Sequence, residues 1–412
     1  MSHRNFDLSA IPGTRPTGLS RRGVLQALGL GGAAFAGSSL LAACGTEGTS
    51  SQEPGGVAAE DKSDTDKSVN FSNWIGYIDV DDEDETLRPT LKEFEDKSGI
   101  TVNYTEDIND NDEFFGQIRP QLEANQDTGR DIIVFTDWMA GRMIRLGWVQ
   151  ELDKANIPNA VNLEANLQSV GFDPDRKFSL PWQSGFTGIG VNKKAVQDLG
   201  VDPDSIKTID ALLTTPALKG KVTALTEMRD TVGLTLLSMG IDPNNFTDDD
   251  FSAAIDKLQG AVDSGQIRGF TGNDYVQGLE TGDLAACIAW SGDVIQLNFE
   301  NEDIVLVTPE QGQMLWSDNM MVPNLAQHKK NAELVMNHYY DPKVAAQLAA
   351  WVNYICPVKG AREEMEAIDP SLVSNSLIFP DQATLDLSNV FMALDEETER
   401  KYNEQFQALI GN

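Results

Sequence analysis

Histidine and cysteine are scarce: three of each occur in 412 residues. Basic residues are also few, 31 lysines and arginines against 64 aspartates and glutamates. His3, His328 and His338 form no His-Glu-x-x-His pair and are too few for a His-rich metal centre. The net charge of −33 excludes nucleic-acid binding, which needs a basic stripe. It suits a cationic ligand, or a solubility or salt-tolerance role, and charge alone does not choose. No Gly-x-Ser-x-Gly elbow and no phosphate-binding Gly-Lys-Ser/Thr loop is present. The glycines of Gly185-Phe186-Thr187-Gly188-Ile189-Gly190 lack the dinucleotide-binding order and precede a strand. The acidic run 107–112 has Asp112 where a calcium loop needs glycine, and Ile118 where it needs glutamate. We therefore expect no metal, no cofactor and no enzyme. After Ala43 no apolar run is long enough to span a bilayer.

What is present begins with an export signal. Arg4, Arg15, Arg21 and Arg22 precede an uncharged run from Gly23 to Ala43. Ser20-Arg21-Arg22-Gly23 resembles a twin-arginine signal, and Leu41-Ala42-Ala43-Cys44 resembles a lipobox, with Cys44 the lipidated residue. A plain transmembrane helix is the alternative, weakened by five glycines in the stretch. Loss of residues 1–43 removes four arginines and one aspartate, leaving about −36 from −33. Residues 44–67 are polar and Gly-rich, and are expected to be a flexible tether.

The rest exceeds the size of a single core, so two domains are expected. Strands are predicted at 68–74, 101–105, 131–135, 188–192, 221–224, 285–289 and 304–307. Helices are predicted at 86–97, 113–125, 138–146, 231–239, 249–264, 293–301, 330–340, 344–351 and 396–409. The alternation implies an α/β fold. Cys287 and Cys356 are either a disulfide or two separate buried thiols.

Tryptophans cluster beside turns and carboxylates: Trp74, Trp138, Trp182, Trp290 and Trp316. Four end or directly follow predicted strands, where open α/β sheets bind ligands. Aromatic faces attract ammonium groups and grip methylene chains, and carboxylates hold the amines. For any single tryptophan, core packing is the alternative.

With these motifs in order, the chain resembles the spermidine/putrescine-binding component of bacterial ABC importers. The resemblance runs over residues 68–412. It rests on Asn73-Trp74-x-x-Tyr77, Asp131-Ile132-Ile133-Val134, Leu146-Gly147-Trp148-Val149, Leu180-Pro181-Trp182, Ala289-Trp290-Ser291-Gly292 and Trp316-x-Asp318. It implies a type II periplasmic-binding-protein fold: two α/β lobes, discontinuous in sequence, around a ligand cleft. The lobes are expected at 68–185 with 317–360, and at 186–316 with 361–412. Carried over by position, the implied ligand-binding residues are Trp74, Tyr77, Thr136, Trp138, Glu227, Asp230, Trp290, Trp316, Asp318 and Tyr354. Asp137 joins them as an extra carboxylate, offsetting the acid that the family often has where Gly76 stands. The family's C-terminal glutamine has no counterpart, because the stretch at Val390-Phe391 is apolar. The implied protein is a monomeric receptor, anchored to the outer face of the cytoplasmic membrane or periplasmic. It delivers a polyamine to an ABC permease by hinge closure. Two alternatives stay open: a same-fold receptor for an amino acid, sugar or ferric iron, and a secreted enzyme.

Overall fold

The computed structural model describes residues 56–81 and 83–411. Cys44 and the export signal lie outside them. The core is one ten-stranded mixed sheet flanked by helices. At its first end the parallel strands β1 (Ser68–Trp74), β2 (Thr101–Ile108) and β3 (Ile132–Thr136) lie in the order β2-β1-β3. At its second end are β5 (Val222–Leu225), β6 (Ile267–Thr271) and β7 (Ala286–Trp290), with β5 parallel to both neighbours. Two long strands join the ends, β4 (Leu180–Asn192) and β9 (Gln313–Met321), antiparallel to each other. The beginning of β4 pairs with β9, and its later half pairs with β7 and with β8 (Ile304–Val307). The latter half of β9 pairs with β3, while β10 (Ser388–Asn389) joins its start.

Local chemistry explains most boundaries. Pro89 sits in the first turn of the helix Pro89–Ser98, where its missing N–H costs nothing, and Gly99 ends that helix at φ 70°. Asp110 caps the helix Asn111–Glu123 by accepting from Glu113 N. Asp107 pairs with Arg130 at 2.7 Å, so the acidic run 107–112 has structural work. Among the described residues no group of three or more His, Cys, Asp and Glu is placed to hold a metal ion. None of their helices is long and apolar enough to cross a membrane.

Three expectations need correction. The tether does not extend to residue 67. Val57 exchanges bonds with Asn324 and Leu325, Lys62 N donates to Gln327 O at 2.7 Å, and Ser63 Oγ accepts from Asn331 N. These polar residues dock by hydrogen bonds rather than by apolar burial, which composition does not register. Second, β4 starts at Leu180, eight residues before the predicted strand. Pro181 and Gly185 masked it, yet a ladder irregularity between Pro181 and Ser184 accommodates the proline. Third, β6 and β9 were not predicted: β6 carries an internal Gly269, and β9 reads Gln-Met-Leu-Trp-Ser-Asp-Asn-Met-Met, without clean alternation. Cys287 and Cys356 are free, buried thiols. Trp182 is core, its ring 4.6 Å from that of Tyr339, with Nε1 donating to Tyr77 O.

Candidate functional site

All eleven candidate side chains line one cavity of about 1090 Å³. They come from separate elements. Trp74 ends β1, with Tyr77 in the turn beyond. Thr136 ends β3, and Asp137 and Trp138 open the helix Asp137–Arg145. Glu227 is the N-cap of the helix Met228–Ser238, and Asp230 lies in its first turn. Trp290 ends β7, Trp316 and Asp318 lie on β9, and Tyr354 follows the helix Pro342–Val352.

Ladder register does the positioning. Thr136 faces Asp318 across β3 and β9, and its hydroxyl donates to Asp318 Oδ1 at 2.7 Å. Gly185 faces Trp316 across β4 and β9. A Cβ at Gly185 would stand 2.5 Å from the Trp316 ring, and one at Gly292 would stand 2.2 Å from the Tyr354 ring. These two glycines let the aromatics approach. The rings form a continuous wall: Tyr77 to Tyr354 at 5.0 Å, Tyr354 to Trp316 at 5.6 Å, Trp316 to Trp290 at 6.4 Å and Trp290 to Trp74 at 6.0 Å. The contacts are edge-on or tilted, the arrangement favoured by ring quadrupoles.

The acids are held by neutral donors. Asp230 accepts from Thr187 Oγ1 at 2.8 Å and from Trp290 Nε1 at 2.9 Å, and Trp316 Nε1 donates to that threonine. Asn111 donates to Glu227 through Nδ2 at 2.8 Å and through its backbone N at 3.2 Å. Asp137 accepts from Asn319 Nδ2 at 2.8 Å. Burial raises Asp318 to about 7, and Asp137 and Asp230 to about 6, against these hydrogen bonds. Burial, then the neighbouring Asp110 and Asp230 charges, holds Glu227 well above the usual carboxylate range.

Among the lining residues outside the eleven, two carry charge next to the candidates. Asp293, three residues after Trp290, accepts from Tyr354 OH at 2.9 Å, Tyr275 OH at 2.6 Å and Asn273 Nδ2 at 2.9 Å. Its signal was present in Trp290-Ser291-Gly292-Asp293. Burial raises its pKa too. Arg229, between the two predicted acids, also lines the cavity. Its guanidinium lies 4.0 Å from the Trp138 ring centroid and pairs with Glu399 at 2.9 Å, so one face of Trp138 is already occupied. Arg145 holds the other oxygen of Glu399 at 2.9 Å.

Residues 90–375 match the bacterial extracellular solute-binding protein family. The chain belongs to this family. Its members are substrate-binding proteins. The spermidine/putrescine-binding periplasmic protein of Escherichia coli (strain K12) is 25% identical over 322 residues, covering 78% of this chain and 86% of that one. The putrescine-binding periplasmic protein of the same organism is 28% identical over 319 residues, covering 74% and 81%. Among solved structures, a putative spermidine/putrescine ABC transporter protein from Listeria monocytogenes superposes with a TM-score of 0.70. It is 26% identical and covers 83% of this chain and 98% of that one. The fold is the two-lobed type II periplasmic-binding-protein fold, and the cavity lies between the two ends of the sheet.

Proposed function

We propose that this receptor captures a polyamine, putrescine or spermidine, and hands it to an ABC permease without chemical change. The observation that carries the reading is a charge imbalance. Glu227, Asp230 and Asp318 are buried in the cavity wall, with Asp137 and Asp293 half-buried beside them. Among the described residues, none of the five has a cationic partner within 4.0 Å; of the lining cations, Arg145 and Arg229 are taken by Glu399 and Lys359 and Arg362 stand on the rim. Uncompensated buried acids are costly and protonate instead. An ammonium group from a ligand lets them ionise and gives charge-assisted hydrogen bonds. The aromatic wall then covers the methylene chain.

In this reading the lobes are 68–185 with 317–360, and 186–316 with 361–412. The facing of Gly185 and Trp316 across the β4–β9 ladder supports two of the crossings. A lipid on Cys44 holds the protein as a monomer to the outer face of the cytoplasmic membrane. Calorimetry against putrescine, spermidine, spermine, γ-aminobutyrate and neutral sugars tests the ligand class. Saturable binding of the amines is expected, and tight binding of a sugar with none of an amine would end the polyamine reading. Cys44→Ala should leave the membrane fraction after a carbonate wash, and retention there would disprove the lipid anchor.

A further inference from the structure

The cleft is already closed around its acids. Thr226 Oγ1, beyond β5, donates to Asp110 Oδ2 at 2.8 Å, and Asn111 bonds Glu227 at 2.8 Å. Arg145 reaches Glu399 of the helix Glu396–Ile410, and Trp74 meets Trp290 edge-on. All four contacts bridge the two ends of the sheet. About 1090 Å³ nevertheless remains, more than an unbranched diamine or triamine chain fills.

The remaining space differs in chemistry from the acidic box. Its walls include Val170, Phe172, Ile378, Phe379, Leu385 and Val390. Val390 is 52% exposed, one of six large apolar side chains left exposed among the described residues. The charges there are balanced or positive. Arg145 and Arg229 share Glu399, and Lys359 and Arg362 stand on the rim with Glu164 and Glu363. Arg229 lies at the junction, its guanidinium 4.0 Å from Trp138 and 5.9 Å from Phe391. It repels a second ammonium and leaves the apolar wall free.

We infer that the cleft takes an amphiphilic amine: a polyamine acylated at one end, its free amines in the box and its acyl chain along this apolar wall. The inference rests on the polyamine reading of the box.

The test is calorimetry of the wild-type protein with spermidine and with its terminal N-acetyl, N-butanoyl and N-hexanoyl derivatives. Affinity should rise by about two- to fourfold per methylene of the acyl chain. In Leu385→Asn/Val390→Asn, checked for an unchanged melting profile, that rise should flatten. Spermidine bound as tightly as every acyl derivative, or tighter, overturns this inference and leaves the polyamine reading intact. A rise that persists in the double variant also overturns it, because the chain then lies elsewhere. Failure of every amine to bind takes both readings down.

Discussion

Acidic side chains meet opposite fates on the outside of this molecule and in its cleft. On the surface, Asp250 accepts from Thr247 N and Oγ1 at 2.9 and 2.7 Å, and these bonds pull its pKa below the usual range. Asp381 and Asp395 behave alike at the starts of their helices, each accepting a backbone N–H at 2.8 Å. In the cleft Asp230 also accepts two hydrogen bonds, at 2.8 and 2.9 Å, yet its pKa rises to about 6. Bond number and length are the same, so burial decides the sign. The total of 64 acids therefore says little about function. The few that are desolvated without a cation say most of it.

The largest expected effect lies with the most deeply buried of these acids. Asp318→Asn removes a charged hydrogen bond and leaves a ligand ammonium unpaired, so polyamine affinity should fall roughly 10–100-fold. Glu227→Gln and Asp230→Asn should each cost on the order of tenfold by the same reasoning. Unchanged affinity in all three would place these carboxylates with the surface caps and erase the contrast. Gly292→Ala comes next. Its methyl would collide with the Tyr354 ring and break the Tyr354–Asp293 bond, so affinity should fall roughly tenfold while the melting profile stays cooperative. Wild-type binding in this variant would show that the wall yields.

The pH dependence sharpens the same contrast. Asp318 titrates near 7 folded and near 3.8 unfolded. A raised carboxyl contributes stability that is fully present below about pH 4 and is lost as pH rises to about 7. Unliganded wild type should therefore lose stability relative to Asp318→Asn across that window. Polyamine affinity should rise over the same interval, with proton release visible as a buffer-dependent binding enthalpy. A stability difference flat in pH would mean that Asp318 is ionised at all these values. The smallest effect belongs to the surface. Asp250→Ala should lower the melting temperature slightly and leave polyamine affinity unchanged, and a large loss of affinity would show the two acid classes to be coupled.

Much of the cleft was legible before the structure because its residues sit at element ends with compact local signatures. Trp74, Trp290 and the Glu227/Asp230 pair each fall at a strand terminus or helix start that hydrophobic periodicity marks. The parts that escaped are those set by long-range pairing. β9 carries Trp316 and Asp318, but its polar centre makes sense only between β3 and β4, where register supplies the partners. The capture of Arg229 by Glu399, 170 residues away, has no local trace. Nor does the docking of residues 57–67, whose affinity for the 324–331 segment resides in backbone and amide hydrogen bonds.

The β4–β9 ladder also limits how this molecule can move. Two strands bonded side by side form a ribbon, and sliding one end of the sheet past the other would shear that ladder. Twisting or bending the ribbon breaks none of it. A rotation about an axis near Gly185 and Trp316 would leave this ladder intact. Trp316, whose indole donates to Thr187 and packs against Trp290 and Tyr354, stands almost on that axis. In a swing about that axis Trp316 would travel least, and the far walls of the cavity would move toward it.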